Sequence, residues 1–114
     1  MKFEIIGNLN NPLIMMLTGS FYPSSGLKYL YEKLKDDYCF ILPEYNGHYE
    51  NSTFTTRQNE AKELIEYIQK QNVHTIKMIY GQSMGAEIAI ELFKQLEKTN
   101  ISVEYCFLDD QNIC

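Results

Sequence analysis

Ser83 stands at the centre of Gly81-Gln82-Ser83-Met84-Gly85, a G-x-S-x-G run. An apolar stretch rich in β-branched and aromatic residues, Ile76 to Tyr80, leads into it and reads as a buried strand. A helical pattern from Ala86 to Leu96 leads out. A strand that reverses into a helix within so few residues forces its apex into an uncommon backbone conformation. Neighbours without side chains are then needed so that strand and helix can pass closely. Gly81 and Gly85 meet that need and leave the Ser83 hydroxyl projecting, the arrangement of a nucleophile elbow. Such a hydroxyl attacks an acyl carbon once a base takes its proton. Two other readings compete. A glycine-rich turn places a serine at the helix start merely to cap it. A dinucleotide-binding turn needs a glycine in the middle of G-x-G-x-x-G, and here that position is Ser83. The elbow accounts for the pattern better than either.

The elements that must position Ser83 read as alternating strands and helices. Lys2 to Ile6 is a short strand ended by Gly7 and an Asn-rich turn, and Leu13 to Leu17 is a continuous apolar run, as a strand buried on both faces requires. Thr18 to Gly26 is a polar loop, and Leu27, Leu30, Tyr31 and Leu34 fall at helical spacing up to about Asp36. Tyr38 to Leu42 is a further buried strand, stopped by Pro43, and a polar loop runs from Glu44 to Asn51. Thr53 or Thr55 caps a helix carrying Ala61, Leu64, Ile65 and Ile68, broken at Asn72 and Val73. After the elbow helix, Val103 to Leu108 forms the last strand. This order predicts a three-layer α/β/α sandwich around a mostly parallel sheet, as one domain over residues 1–114. Ligands bind beyond the carboxyl ends of such strands. The loops Thr18–Gly26, Leu42–Asn51 and Gly81–Gly85 therefore meet at one edge.

From the elbow outward the chain resembles the α/β-hydrolase family, over roughly Leu13 to Leu108. The resemblance implies that Thr18-Gly19 matches the family's His-Gly pair before the first helix, with the histidine replaced. The oxyanion hole would then be made by the backbone N–H groups of Met84 and Ser20, with Phe21 as the alternative to Ser20. Leu42-Pro43-Glu44-Tyr45-Asn46-Gly47-His48 is similar to the family's Pro-Asp-x-x-Gly-His segment, whose histidine is structural. The family's triad runs serine, acid, histidine along the chain, yet no histidine follows Ser83. The resemblance is therefore to the N-terminal half of the fold: an incomplete α/β-hydrolase, truncated before the strands that would carry the catalytic histidine.

Of the chain's two histidines, His74 is excluded as its replacement and His48 would reach Ser83 only through an inward-folded loop. His74 precedes the elbow strand, and about six residues of strand span roughly 20 Å, beyond hydrogen-bond reach of Ser83. His48 is at the correct end, but two strands away, near 10 Å at about 4.8 Å per strand, and reads as an exposed loop residue. Asp109 and Asp110 follow the last strand at the correct edge for a triad acid, but with no histidine to orient they read as a solvated terminus or helix cap. Tyr22 and Tyr45 read as pocket walls or partly exposed loop residues.

Composition narrows the function classes. The 114 residues carry a net charge of −5, with 45% hydrophobic and 22% charged residues. A nucleic acid or an anionic membrane would need a basic face, so neither is expected. No apolar run reaches membrane-spanning length, and the N-terminus lacks a basic leader and a cleavage site. The three cysteines, Cys39, Cys106 and Cys114, lack zinc-ligand spacing. Cys39 and Cys106 read as buried free thiols, which fits the cytoplasm. The expectation is a serine-nucleophile hydrolase of a small-molecule ester or similar acyl substrate, with no cofactor and no metal, weakly active or inactive as this chain. The alternative is a non-catalytic module of the same fold that binds a ligand or partner. The Val103–Leu108 strand would offer a free edge for a second copy or a partner chain.

Overall fold

The computed structural model describes residues 1–19 and 28–109. The elements in chain order are β1 (Lys2–Ile6), β2 (Leu13–Leu17), α1 (Lys28–Leu34), β3 (Cys39–Glu44), α2 (Arg57–Lys70), β4 (Thr75–Gln82), α3 (Met84–Leu96) and β5 (Ser102–Asp109). The strands form one five-stranded sheet in the order β1-β3-β2-β4-β5. β3, β2, β4 and β5 are mutually parallel, while β1 runs antiparallel along β3, with Lys2 opposite Glu44 and Ile6 opposite Phe40. This is the mostly parallel α/β sheet expected from the order of apolar runs.

Helices lie on both faces. On one, Ala61, Leu64, Ile65 and Ile68 of α2 and Ile88, Ala89 and Leu92 of α3 pack on Leu13, Met15, Leu17, Ile41 and Ile79. On the other, Tyr31 of α1 packs on Ile14, Met16, Phe40 and Leu42. β2 contributes alternate residues to both cores, so all five of its residues are buried. Burying an aliphatic side chain fully contributes roughly 1.5–3 kcal/mol before chain entropy is counted. That is why an uninterrupted apolar run belongs in a central position.

Four details differ from the sequence reading. β3 runs through Pro43 to Glu44 rather than stopping before it. There it pairs only with β1, Phe3 lying opposite Pro43, because β2 has left its side after the Met15–Ile41 pair. A strand with one neighbour tolerates a missing N–H. α2 is capped by Thr56, not Thr53 or Thr55: its side-chain oxygen accepts the Asn59 N–H at 3.0 Å, the usual reach from cap to third helical residue. Cys106 is exposed while Cys39 is buried, because β5 is an edge strand. Tyr45 is 2% exposed, so it is neither a partly exposed loop residue nor a pocket wall but a core side chain.

Candidate active site

Ser83 is the single residue between the last of β4 and the first of α3. Its backbone sits at φ 55°, ψ −117°, a region that costs a non-glycine residue of the order of 1–3 kcal/mol and persists only where the surroundings impose it. The surroundings are close. A Cβ at Gly81 would lie 2.8 Å from Ala86 Cα, and one at Gly85 would overlap the Leu17 carbonyl oxygen and crowd that of Thr18. Ser83 N–H donates to the Asp109 carbonyl at the end of β5 (3.0 Å), while its own carbonyl accepts from Ala86 and Glu87 N–H of the first turn of α3. The side chain makes no capping hydrogen bond and the residue is exposed. Ser83 thus occupies the cap position without its hydroxyl doing a cap's work, so the capping reading of the motif fails.

The loop after β2 reaches the same point. A Cβ at Gly19 would lie 3.5 Å from Ser83 Cβ and 4.0 Å from Gln82 Oε1, so Gly19 borders the serine. Met84 opens α3 directly after Ser83. Ser20 and Phe21, the candidates for the second oxyanion N–H, lie outside the described residues, as do Tyr22, Asp110 and Cys114.

The loop after β3 completes the edge. Tyr45 Oη donates to the Thr18 carbonyl oxygen at 2.8 Å. Burial pushes the Tyr45 phenol well above its ordinary value, the Thr18 side chain partly offsets the rise, and the Glu60 charge adds to it. Asn46 donates its backbone N–H (2.8 Å) and its side-chain N–H (2.7 Å) to the two carboxylate oxygens of the fully buried Glu60. Periodicity held a signal for Glu60: it falls on the apolar stripe with Ala61, Leu64, Ile65 and Ile68, and all five are buried. Nothing in the sequence pairs Tyr45 with Thr18 or Ser83 with Asp109, because both contacts join distant strand ends through a side-chain reach or a backbone carbonyl.

The two histidines sit in different surroundings. His74 is exposed just before β4, and its carbonyl accepts from Ser102 N–H at the other end of the β4–β5 ladder. A cleft of about 590 Å³ lies there, lined among others by Leu9, Asn11, Val73, His74 and Lys77, at the opposite end of β4 from the serine. His48 is half-buried rather than exposed, with its backbone N–H donating to the Tyr45 carbonyl at 3.1 Å and its ring edge-on to Tyr45, centroids 5.4 Å apart. Asp109 is exposed beside Gln82, its register partner. Among the described residues no group of three or more His, Cys, Asp or Glu side chains could hold a metal ion.

No family model matches the chain, and no curated protein matches it. Solved structures do. A protein of Desulfitobacterium hafniense assigned to the alpha/beta hydrolase family superposes with a TM-score of 0.85 at 25% identity, over 94% of this chain and 43% of that one. A carboxylesterase of Nitrososphaera gargenis gives 0.78 at 18% identity, over 94% and 40%. A 1H-3-hydroxy-4-oxoquinoline 2,4-dioxygenase gives 0.70 at 23% identity, over 82% and 36%. The chain resembles the N-terminal half of an α/β-hydrolase, and it spans about two fifths of the length of these structures. The dioxygenase carries the same sheet with a different reaction, so the fold alone does not settle the chemistry.

Proposed function

We propose that this chain carries the nucleophile side of a serine-hydrolase site for small ester or similar acyl substrates. The single observation that carries the proposal is Ser83 held at φ 55°, ψ −117° between strand and helix with its hydroxyl unused by any cap. Strain of this kind at an exposed serine is the signature of an elbow that presents a nucleophile. In the full reaction Ser83 Oγ attacks the carbonyl carbon. A histidine from outside these 114 residues takes the proton and later gives it to the departing alkoxide. The Met84 and Ser20 amides hold the oxyanion, each worth roughly 3–4 kcal/mol in comparable sites. No metal or cofactor enters this scheme. The chain by itself is weakly active or inactive.

The base would arrive with a further strand beside β5. That strand is the sheet edge, and Tyr105, Phe107 and Leu108 are exposed on it at 61%, 56% and 37%. Unpaired edge groups next to exposed aromatics favour association, through a second copy or a partner chain. The buried free thiol of Cys39 suits the cytoplasm.

A second reading is a non-catalytic binding module of the same fold. What favours it is that the His48 ring packs edge-on against Tyr45. A fluorophosphonate probe separates the two. Slow labelling over hours, consistent with an unassisted hydroxyl meeting a strong electrophile, that reaches one adduct per chain and is absent from Ser83→Ala supports the nucleophile; an intact, folded chain that takes up no probe favours binding.

A further inference from the structure

We infer that Tyr45 is a positioning residue for the loop that enters the Ser83 site at Gly19; the inference rests on the reading of Ser83 as a nucleophile. Three observations meet at one peptide unit. The Thr18 carbonyl accepts the Tyr45 hydroxyl at 2.8 Å, in the interior. The same oxygen lies close enough to the start of α3 that a Cβ on Gly85 would stand 2.6 Å from it. The next residue, Gly19, borders Ser83.

A trans peptide is planar, so fixing the direction of one carbonyl also fixes the direction of the N–H of the following residue. Gly19 has no side chain with which to fix its own path, and its conformational freedom is the largest of any residue. The α3 start on one side and Tyr45 on the other are therefore among the contacts that orient the Thr18–Gly19 plane. Tyr45 is itself well seated. Its ring is in the core, and the adjoining Asn46 is clamped at backbone and side chain by Glu60. Glu60 sits in the first turn of α2, where the helix dipole favours a carboxylate. Through this chain of contacts α2 and β3 help to orient the Thr18–Gly19 peptide beside Ser83.

Tyr45→Phe removes the hydroxyl and keeps the ring. The test measures fluorophosphonate inactivation as a function of probe concentration, with thermal melting alongside. Positioning predicts a fall of about tenfold in the maximal inactivation rate, with the half-saturating probe concentration and the melting midpoint close to wild type. An unchanged maximal rate, whatever the melting shift, would show that the bond is merely structural and overturn the inference. If the wild-type chain takes up no probe, the nucleophile reading fails separately, and amide hydrogen exchange then decides on Tyr45. Exchange at Gly19 about tenfold faster in Tyr45→Phe, with Met15 and Ile79 unchanged, supports the positioning role. Equal exchange at Gly19, or a uniform rise at all three, contradicts it. Should Tyr45→Phe fail to fold, Glu60→Gln loosens the seat of Tyr45 from a distance. The same two measurements on that variant then support or overturn the inference by the same outcomes.

Discussion

At the residue scale, the decisive contrast is between two hydroxyl groups. The Ser83 hydroxyl is exposed at a strained apex, whereas the Tyr45 hydroxyl is in the interior and bonded to Thr18. Burial raises the Tyr45 phenol far above the value of about 10 that it has in an unfolded chain. The folded state thus keeps a proton that the unfolded state releases in alkali. This contribution to stability is fully present below about pH 10 and is lost as pH rises beyond it, at up to about 1.4 kcal/mol per pH unit for one proton. Urea unfolding between pH 9 and 12 should therefore show wild type losing stability more steeply than Tyr45→Phe. Tyr67, also raised by its partial burial, supplies part of the slope that remains. Parallel slopes in the two proteins would mean that the Tyr45 hydroxyl reaches water.

At the scale of elements, the site is a meeting of strand ends held by absent side chains. α3 starts against the end of β2, and the contact leaves no room for a Cβ at Gly85 because the obstacle is the Leu17 backbone. Gly85→Val should therefore destabilise by more than about 3 kcal/mol, since overpacking against backbone has no rotamer escape. For a chain of this size that corresponds to a fall of at least roughly 10 °C in melting temperature. A fall of a degree or two would show that the helix does not start where the structure puts it. The elbow was legible in the sequence because all of its requirements are local: a strand pattern, two glycines and a helix pattern within a few residues. The limits of Leu13–Leu17 and the apolar faces of the helices were legible from periodicity for the same reason. The helix cap was misplaced because Thr53, Thr55 and Thr56 offer the same chemistry, and only the position of the first turn chooses Thr56. Pro43 misled because a proline stops a central strand but not one that has already lost a neighbour. The Tyr45–Thr18 and Ser83–Asp109 bonds join residues far apart in the chain, and no periodicity carries such pairings.

At the scale of the whole molecule, the sheet is unevenly finished. β1 closes one edge with a short antiparallel strand. The other edge is β5, where Phe107 stacks on Tyr80 with ring centroids 5.7 Å apart and still remains more than half exposed. No helix among the described residues is long and apolar enough to cross a membrane, so these aromatics do not belong to a spanning helix. Sedimentation at micromolar concentration should find a dimer or larger species, and Phe107→Glu, which puts charge on that edge, should shift the distribution to monomer. A compact monomer at all concentrations would show that the edge is covered from within the chain.

In the proposed reaction Ser83 and its elbow come from this chain and the base from a further segment. Hydrolysis of p-nitrophenyl acetate by the 114-residue chain, set beside Ser83→Ala, tests this most directly. An unassisted serine hydroxyl is a weak nucleophile at neutral pH, so the account predicts that both proteins turn over the ester at a rate close to buffer. A rate many times the background that Ser83→Ala abolishes would contradict it, and would mean that a base within the chain, with His48 the first to test, reaches Ser83 after all.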